Sequence, residues 1–189
     1  LDENDRFLLQ LWAGQAILGT NVSQTILLMM GEGRTGKGTI ARVIEQLVGR
    51  QNMHELRTKQ LTSRFETGFY QDKSLLFGPD VDTDFMNNDG AHVLKALTGG
   101  DYMTGEIKGK TMAHTLKGAF NVLLQSNSRL RLKLGGDQGA WRRRLMVLLF
   151  NKPGPERPIP DFDKVLIQEE GPGILNWAIE GARLLLKNL

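Results

Sequence analysis

The strongest constraint on this sequence is a glycine-rich stretch that lies between a buried strand and a helix. Residues Ile26–Met30 form an unbroken apolar run, which is typical of a strand covered on both faces of a parallel sheet. Residues 31–37 follow directly and fit the pattern G-x-x-x-x-G-K. Apolar residues at helical spacing between Ile40 and Val48 predict a helix that Gly49 ends.

This context is the one in which the pattern binds phosphate, and we call residues 31–37 the phosphate loop. Its glycines allow the backbone to turn amide groups toward an anion, and Lys37 adds a positive charge for the outer phosphates. A helix that begins at Thr39 would direct its positive end to the same site. The candidate nucleotide-binding residues are Gly31, Glu32, Gly33, Arg34, Thr35, Gly36, Lys37, Gly38 and Thr39.

The residue after Lys37 departs from the usual motif. Gly38 stands where a serine or threonine is common, so the hydroxyl arrives one residue later, at Thr39. One residue rotates a side chain about 100° around a helix, which leaves open whether Thr39 is a direct Mg²⁺ ligand. The string GKGT also occurs in adenylate kinases, so nucleotide binding remains the expectation.

A second candidate site follows the predicted strand Leu75–Phe77. Asp80 and Asp82 come two residues apart after this strand, so in an extended chain they point to one side. In phosphate-loop ATPases, acidic residues at such a strand end hold magnesium and polarise the attacking water. Gly-Pro-Asp is also good turn material, and the sequence does not decide which aspartate holds the metal.

Length and composition fit one intracellular globular domain. The 189 residues suit one domain with a small appendage, and the apolar and charged fractions, 40% and 24%, are ordinary. No apolar run reaches membrane-spanning length, and no secretory leader is present. The absence of cysteine excludes disulfides and thiolate metal sites and fits a reducing, cytoplasmic compartment. Because the chain starts at Leu1, we expect it to be a piece of a longer protein.

Positive charge is concentrated in the second half of the chain. Residues 105–150 hold nine Lys or Arg and two acids, which predicts either a solvated face or a polyanion-binding surface. Lys108 and Lys110 flank a glycine in a β-leaning stretch from Tyr102 to Lys117, which suits a hairpin tip.

The remaining pattern predicts helices at both ends and two more strands. The predicted strands are 119–125, which leads to Ser126-Asn127, and 145–150, which follows an arginine run at 142–144. The predicted helices are 1–19, 58–70 with Leu61, Phe65 and Phe69 inward, 89–97, and a terminal helix from Ile174 to Leu186 with Trp177 in the core. Residues 151–160 hold four prolines and are expected to be a linker.

Four strings together resemble the phage and plasmid primase–helicases, which are superfamily-three helicases related to the poxvirus primase–helicase. They are VLKALTGGDYMTGE, FNVLLQSN, WRRRLMVLLF and EEGPGILNWAIEGA. The resemblance runs from Gln24 to about Leu186. It implies an α/β fold of the phosphate-loop NTPase type, AAA+-like, with a parallel sheet and flanking helices. It also implies a DNA helicase that uses ATP and Mg²⁺, acts as a ring, usually a homohexamer, and binds single-stranded DNA.

The resemblance also assigns roles to individual residues. Asp80 looks like the Walker B acid, with Asp82 as the second carboxylate, and Asn127 is similar to the sensor asparagine. Arg143 best matches an arginine finger that reaches a neighbour's ATP, with Arg144 as the next candidate. The implied division is a helical element at 1–23, the ATPase core at 24–150, and a linker with the C-terminal helix at 151–189. A primase domain in the same longer chain, in a bacterial or virus-infected cell, is implied as well.

Two other functions remain open at this point. A small nucleotide kinase would share GKGT but would need dispersed arginines around an acceptor site, whereas these arginines crowd between Arg129 and Arg144. A module that binds ATP to clamp DNA, but hydrolyses it poorly, would fit the departures at Gly38 and at the Gly-Pro-Asp turn.

Overall fold

The elements of the fold alternate between strands and helices along most of the chain. The computed structural model describes residues 1–85, 89–106, 113–130 and 138–189. Within these ranges the helices are α1 (Glu3–Ile17), α2 (Lys37–Val48), α3 (Gly90–Gly99), α4 (Gln138–Arg142) and α5 (Phe162–Lys187). The strands are β1 (Ile26–Met30), β2 (Met53–Glu55), β3 (Leu75–Gly78), β4 (Tyr102–Gly105), β5 (His114–Lys117), β6 (Asn121–Ser126) and β7 (Leu145–Leu149).

The main sheet has five parallel strands in the order β2-β3-β6-β1-β7. The first residue of β1, Ile26, lies opposite Val122 of β6 on one side and Leu145 of β7 on the other. The phosphate loop therefore leaves the sheet between the ends of two neighbouring strands. This arrangement confirms the predicted α/β fold with a parallel sheet and flanking helices.

Strand β1 is buried on both faces, as its unbroken apolar run predicted. Ile26 and Leu28 pack into the core beside α3, whereas Leu27 and Met29 pack into the core beside α1 and α2. All four side chains are at most 1% exposed. Burial of each such side chain contributes about 1.5–3 kcal/mol, so the strand that carries the phosphate loop is anchored in both halves of the core.

Long-range contacts hold both ends of α5. Gly14 of α1 lies so close to α5 that a Cβ atom there would come within 2.1 Å of the backbone nitrogen of Ala182. Near the other end, the Arg42 guanidinium of α2 donates from Nε to Oδ1 of Asp163 at 2.8 Å. Asp163 is buried, whereas Arg42 is more than half exposed. The terminal helix is thus fixed both to α1 and to the helix that follows the phosphate loop.

The predicted helix at 58–70 is wrong. The segment instead contains two short 3₁₀ turns, Thr58–Gln60 and Thr67–Tyr70, and Phe69 is 46% exposed. Two tertiary contacts override the helical pattern. A Cβ at Gly68 would meet the carbonyl oxygen of Glu106 at 2.1 Å, and buried Glu66 accepts a hydrogen bond from the Tyr70 hydroxyl at 2.9 Å.

The terminal helix is longer than predicted, and Trp177 is not a core residue. Helix α5 starts at Phe162 and runs through Pro172, because the contacts of Asp163 and Ala182 hold its two ends. Trp177 is 37% exposed. At the other end of the chain, Asp2 caps α1 through a hydrogen bond from the Asp5 amide to Oδ1 at 2.8 Å.

Strands β4 and β5 form a separate antiparallel pair, with Gly105 opposite His114. Such pairing is what the predicted hairpin requires, but its tip with Lys108 and Lys110 lies outside the described residues. Over the described ranges, every helix is too short or too polar to cross a membrane. The division at residues 23 and 150 stays a prediction.

Candidate functional site

The phosphate loop turns sharply from β1 into α2. Arg34 and Gly36 have positive φ angles of 63° and 95°, and such alternation turns successive backbone amides toward one side. Helix α2 begins at Lys37, two residues earlier than predicted, with Gly36 as its N-cap. No heavy atom lies within 4 Å of where a Cβ would stand at Gly33 or Gly36. The backbone of the loop is therefore open to an anion, as phosphate binding requires.

Lys37 is held inside the loop. Its side chain is 5% exposed, and Nζ donates to the carbonyl oxygens of Gly31 at 2.6 Å and Glu32 at 2.7 Å. Burial lowers the pKa of this ammonium group from its ordinary value. The loop carbonyls thus hold the amine in place, and a phosphate bound over the loop would replace them as its partner.

A cleft of 560 Å³ lies above the phosphate loop. This volume is within the range of about 300–1,000 Å³ that is usual for small-molecule sites. Residues from three adjacent strand ends line it, namely Met30, Gly31, Glu32, Gly33, Arg34, Thr35, Asn127, Ser128, Arg129, Leu149, Phe150, Asn151, Lys152, Pro153, Gly154 and Pro155. The cleft therefore has the size and the open backbone amides that a nucleotide needs.

Asn127 lies beside the phosphate loop, because it follows the strand that neighbours β1 and Ser126 pairs with Met30. The Gly31 amide donates to the Ser126 carbonyl at 3.2 Å, and the Ser128 amide donates to Ser126 Oγ at 3.3 Å. Asn127 is exposed and lines the cleft, so the structure brings this predicted residue together with the loop.

Asp80 and Asp82 lie beside the end of β6, one strand farther from the loop. Between them, the Val81 amide donates to the Gln125 carbonyl at 2.8 Å, and the Val81 carbonyl accepts from Ser126 Oγ at 3.1 Å. Both aspartates are exposed, and Asp82 pairs with Lys59 at 3.3 Å. The aspartates are outside the lining of the cleft but adjacent to the strand that presents Asn127.

These carboxylates fit a magnesium ion better than Thr39 does. Mg²⁺ takes oxygen ligands and usually binds through one or two carboxylates, substrate phosphates and water. Across the described ranges, no three His, Asp or Glu side chains cluster as a self-contained metal site. Thr39 lines a different, apolar cavity of 350 Å³ between α2 and α5. Thr39 lies in the first turn of α2, two residues after Lys37. It is outside the lining of the cleft, as are Gly36, Lys37 and Gly38, so its role as a magnesium ligand stays a prediction.

The arginines of the WRRRL string lie at the opposite end of the sheet. Leu145 is level with Ile26, so the start of β7, which follows Arg143 and Arg144 directly, is about five strand residues, or roughly 17 Å, from the start of the phosphate loop. Arg143 is exposed, whereas Arg144 is buried and donates from Nη1 to the Ala140 carbonyl at 3.2 Å. Burial lowers the pKa of Arg144. Of these two candidates, only Arg143 presents its guanidinium to solvent.

Sequence reasoning missed two cations that line the cleft. Arg129 was counted only as the first residue of the arginine cluster, and Lys152 fell in the predicted linker, yet both line the cleft beside the phosphate loop. Both follow strands that are neighbours of β1 in the parallel sheet. Parallel strands that are neighbours end at the same edge of a sheet. Predicting that these two cations lie beside the loop would therefore have required the strand order, which the sequence pattern does not contain.

Comparison with known proteins identifies the family. A model described as a family of unknown function, DUF5906, matches residues 29–144, which is more than half of the chain. The chain belongs to the DUF5906 family. This DUF5906 segment runs from the end of β1 to the buried arginine Arg144 and so includes the phosphate loop, Asp80 and Asn127. No curated protein matches the sequence.

Two solved structures share the fold of this DUF5906 protein. An apo structure of the NrS-1 C-terminal region has a TM-score of 0.72 and 15% identity, covering 99% of this chain and 48% of that one. Another apo form has a TM-score of 0.71 and 16% identity, covering 96% and 42%. This chain thus spans less than half of the NrS-1 chains. A JCV helicase structure has a TM-score of 0.49 and 16% identity, covering 98% of this chain and 49% of that one. This score does not establish a common fold.

Proposed function

We propose that this protein is an ATP hydrolase that couples hydrolysis to movement along DNA, as the core of a helicase. The observation that carries the proposal is the open phosphate loop with buried Lys37. The loop follows β1, and Asn127 follows the neighbouring parallel strand β6 and lines the same cleft. Phosphate-loop ATPases need this arrangement of backbone amides, lysine and polar sensor around the outer phosphates. The DNA part of the proposal rests on the resemblance to primase–helicases and on the basic second half of the chain.

In this mechanism the loop amides bind the phosphate chain, and Lys37 leaves its carbonyl partners to contact the outer phosphates. Bound Mg²⁺ would supply charge neutralisation at those phosphates. Asp80, which is exposed beside β6, would hold it. Asp82 and Asn127 would orient the attacking water. The phosphoryl group is transferred to water in line, and the remaining charge is stabilised by positioned cations.

The protein would act as a ring, with a homohexamer as the expected form. Arg143 is exposed and too far from its own phosphate loop to contact ATP there. An arginine in this position would serve as a finger only on a neighbour's nucleotide. A primase domain in the same longer chain and a location inside the cell belong to this proposal through the family resemblance alone.

Steady-state ATP hydrolysis, measured with and without single-stranded DNA, tests the proposal, together with the mass of the assembly formed with ATP and DNA. We expect hydrolysis that DNA stimulates, in a ring-sized assembly. ATP binding without turnover would instead indicate a DNA-clamping module. Phosphoryl transfer to nucleoside monophosphates would indicate a nucleotide kinase.

Replacing Asp80 with asparagine is expected to damage hydrolysis more than nucleotide binding. The loop amides would still hold the nucleotide, but a neutral side chain would hold Mg²⁺ poorly, so turnover should fall on the order of 100-fold. Asp82→Asn is the matched variant and should be milder, because Asp82 already shares its charge with Lys59. Turnover and ATP affinity should be measured for both. A severe Asp82→Asn with a mild Asp80→Asn would reverse the two roles.

Mixing two inactive variants tests whether Arg143 acts across a subunit boundary. Loss of an arginine finger typically costs about 10³-fold or more in turnover, so Arg143→Ala alone should be nearly inactive. In mixed rings of Arg143→Ala and Lys37→Ala chains, some interfaces would combine an intact loop with an intact arginine. We expect partial recovery of ATP hydrolysis. Absence of recovery at every ratio, in assemblies shown by mass to be mixed, would rule out the finger role.

The double variant Lys108→Ala with Lys110→Ala tests the proposed DNA contact at the tip of the β4–β5 hairpin. Phosphate-binding lysines give affinity without sequence choice, and each contributes about one to the salt slope of binding. We expect weaker binding to single-stranded DNA of any sequence, a flatter salt dependence and loss of DNA stimulation, while basal hydrolysis survives. Normal DNA binding over a full salt titration would show that these lysines do not contact DNA.

A further inference from the structure

The segment 151–155, which we call the strap, crosses the phosphate loop at contact distance. It starts next to the sheet, where the Phe150 amide donates to the Met30 carbonyl at 2.7 Å. A Cβ atom on Gly154 would come within 1.9 Å of the Arg34 carbonyl oxygen, so only glycine allows this approach. Pro153 and Pro155 on either side have fixed φ angles. The strap is therefore a stiff segment, positioned by the loop itself.

The strap and the segment after β6 flank the phosphate loop on opposite sides. Strand β1 lies between β6 and β7 in the sheet, and the loop continues from β1. Arg129 follows β6 on one side, and Lys152 follows β7 on the other, and both line the cleft. A ligand bound over the loop would thus have a cation on each side.

Arg129 and Lys152 do not take part in the ion pairs that stabilise the described part of the fold. Both side chains are exposed, and in the described part of the chain neither forms an ion pair with a carboxylate. Arg34 adds a third positive charge to the lining, against one acid, Glu32. The cleft therefore carries an excess of positive charge beyond that of Lys37.

We infer that Arg129 and Lys152 form a two-sided clamp on the phosphate chain of a nucleoside triphosphate, with the strap as the element that positions Lys152. The inference rests on the proposed nucleotide site and adds two residues that would set its preference for the triphosphate. Each further phosphate adds negative charge, and cations bind phosphate oxygens through charge-assisted hydrogen bonds. Two cations beside the loop therefore favour the triphosphate over the monophosphate.

Binding of ATP and of AMP to the full chain, measured by calorimetry for single variants, tests the clamp. Arg129→Ala and Lys152→Ala should each weaken ATP binding about tenfold, since a hydrogen bond to a charged group is typically worth at least that factor. AMP binding should change far less, so the preference for ATP falls. Arg157→Ala is the matched control, because Arg157 is exposed on the same proline-containing segment but lies outside the cleft lining. It should bind both nucleotides as the wild type does.

Gly154→Ala separates the position of the strap from its charge. The added methyl group must push the strap away from Arg34, so ATP binding should weaken about as much as in Lys152→Ala. Adding Lys152→Ala to Gly154→Ala should then have little further effect. If Gly154→Ala does not fold, the two charge variants still decide the matter, because both replace exposed side chains.

The outcomes separate the clamp from the nucleotide site itself. If Arg129→Ala and Lys152→Ala bind ATP and AMP as the wild type does, while Lys37→Ala loses ATP, the clamp is wrong and the nucleotide site stands. If Arg129→Ala loses affinity for single-stranded DNA but not for ATP, Arg129 belongs to a DNA surface and the clamp is wrong. If the wild type binds no ATP, both inferences are overturned.

Discussion

Replacing Lys37 with alanine is expected to abolish ATP hydrolysis while leaving the protein folded. The lysine is the one ammonium group inside the phosphate loop among the described residues, and it is held there by the Gly31 and Glu32 carbonyls. Loss of a positioned charge at the transferred phosphoryl group typically costs several kcal/mol in the transition state. Turnover should therefore fall by about 10³-fold or more. Steady-state hydrolysis at saturating ATP is the measurement.

The fold should tolerate this change. Gly31 and Glu32 lie on an accessible loop, so water can replace the lysine as donor to their carbonyl oxygens. Lys164→Ala is the matched control, because Lys164 is an exposed lysine paired with Asp161 on the surface, where ion pairs contribute little. The melting temperature of both variants should remain close to that of the wild type. Near-normal turnover of Lys37→Ala would overturn the assignment of the nucleotide site.

Gly14→Ala is expected to produce a large loss of stability from a single methyl group. Its Cβ would stand 2.1 Å from the Ala182 nitrogen and 2.5 Å from the Gly181 carbonyl carbon, and both atoms are backbone, so α1 and α5 must separate. Overpacking of this kind costs about 1–3 kcal/mol, occasionally more. In a domain of this size each kcal/mol lowers the melting temperature by about 2–4 °C. We therefore expect the melting temperature to fall by roughly 2–12 °C.

Gly173→Ala provides the control for Gly14→Ala. Gly173 also lies in a helix, α5, but the nearest atom to its Cβ position is the Glu170 carboxylate at 3.9 Å, which is an ordinary contact. Alanine is favoured over glycine inside helices by about 1 kcal/mol, so this variant should melt at the same or a slightly higher temperature. Equal melting temperatures for the two variants would show that α1 and α5 do not pack as closely as the structure has them.

The sheet and the phosphate loop could be predicted because their signals are local. The apolar run Ile26–Met30 is buried on both faces, and the apolar positions of α2 face the core beside α1. The segment 58–70 could not be predicted, because its shape depends on Gly68 meeting Glu106 and on the buried carboxylate of Glu66. Those contacts join parts of the chain that are distant in sequence, which no periodic pattern records.

Contacts between distant parts of the chain also limited how much of the candidate site could be predicted. Lys37 and Asn127 were predicted from motif and resemblance, because the phosphate loop and Asn127 each follow a recognisable strand. Lys152 was hidden in a segment whose prolines predicted a linker, and its place beside the loop follows only from β7 lying next to β1. The strand order of a sheet is set by packing over the whole domain. For this reason only the structure shows that residues 151–155 line the cleft.

The ion pair between Asp163 and Arg42 couples the helix that follows the phosphate loop to the terminal helix. Arg42 belongs to the helix that starts at Lys37, and Asp163 lies at the start of α5. A helix of 26 residues is about 39 Å long. Because α5 also packs against α1 at Ala182, a displacement of α2 would be passed through the buried carboxylate to a helix that is anchored at its other end, so α1, α2 and α5 would respond together.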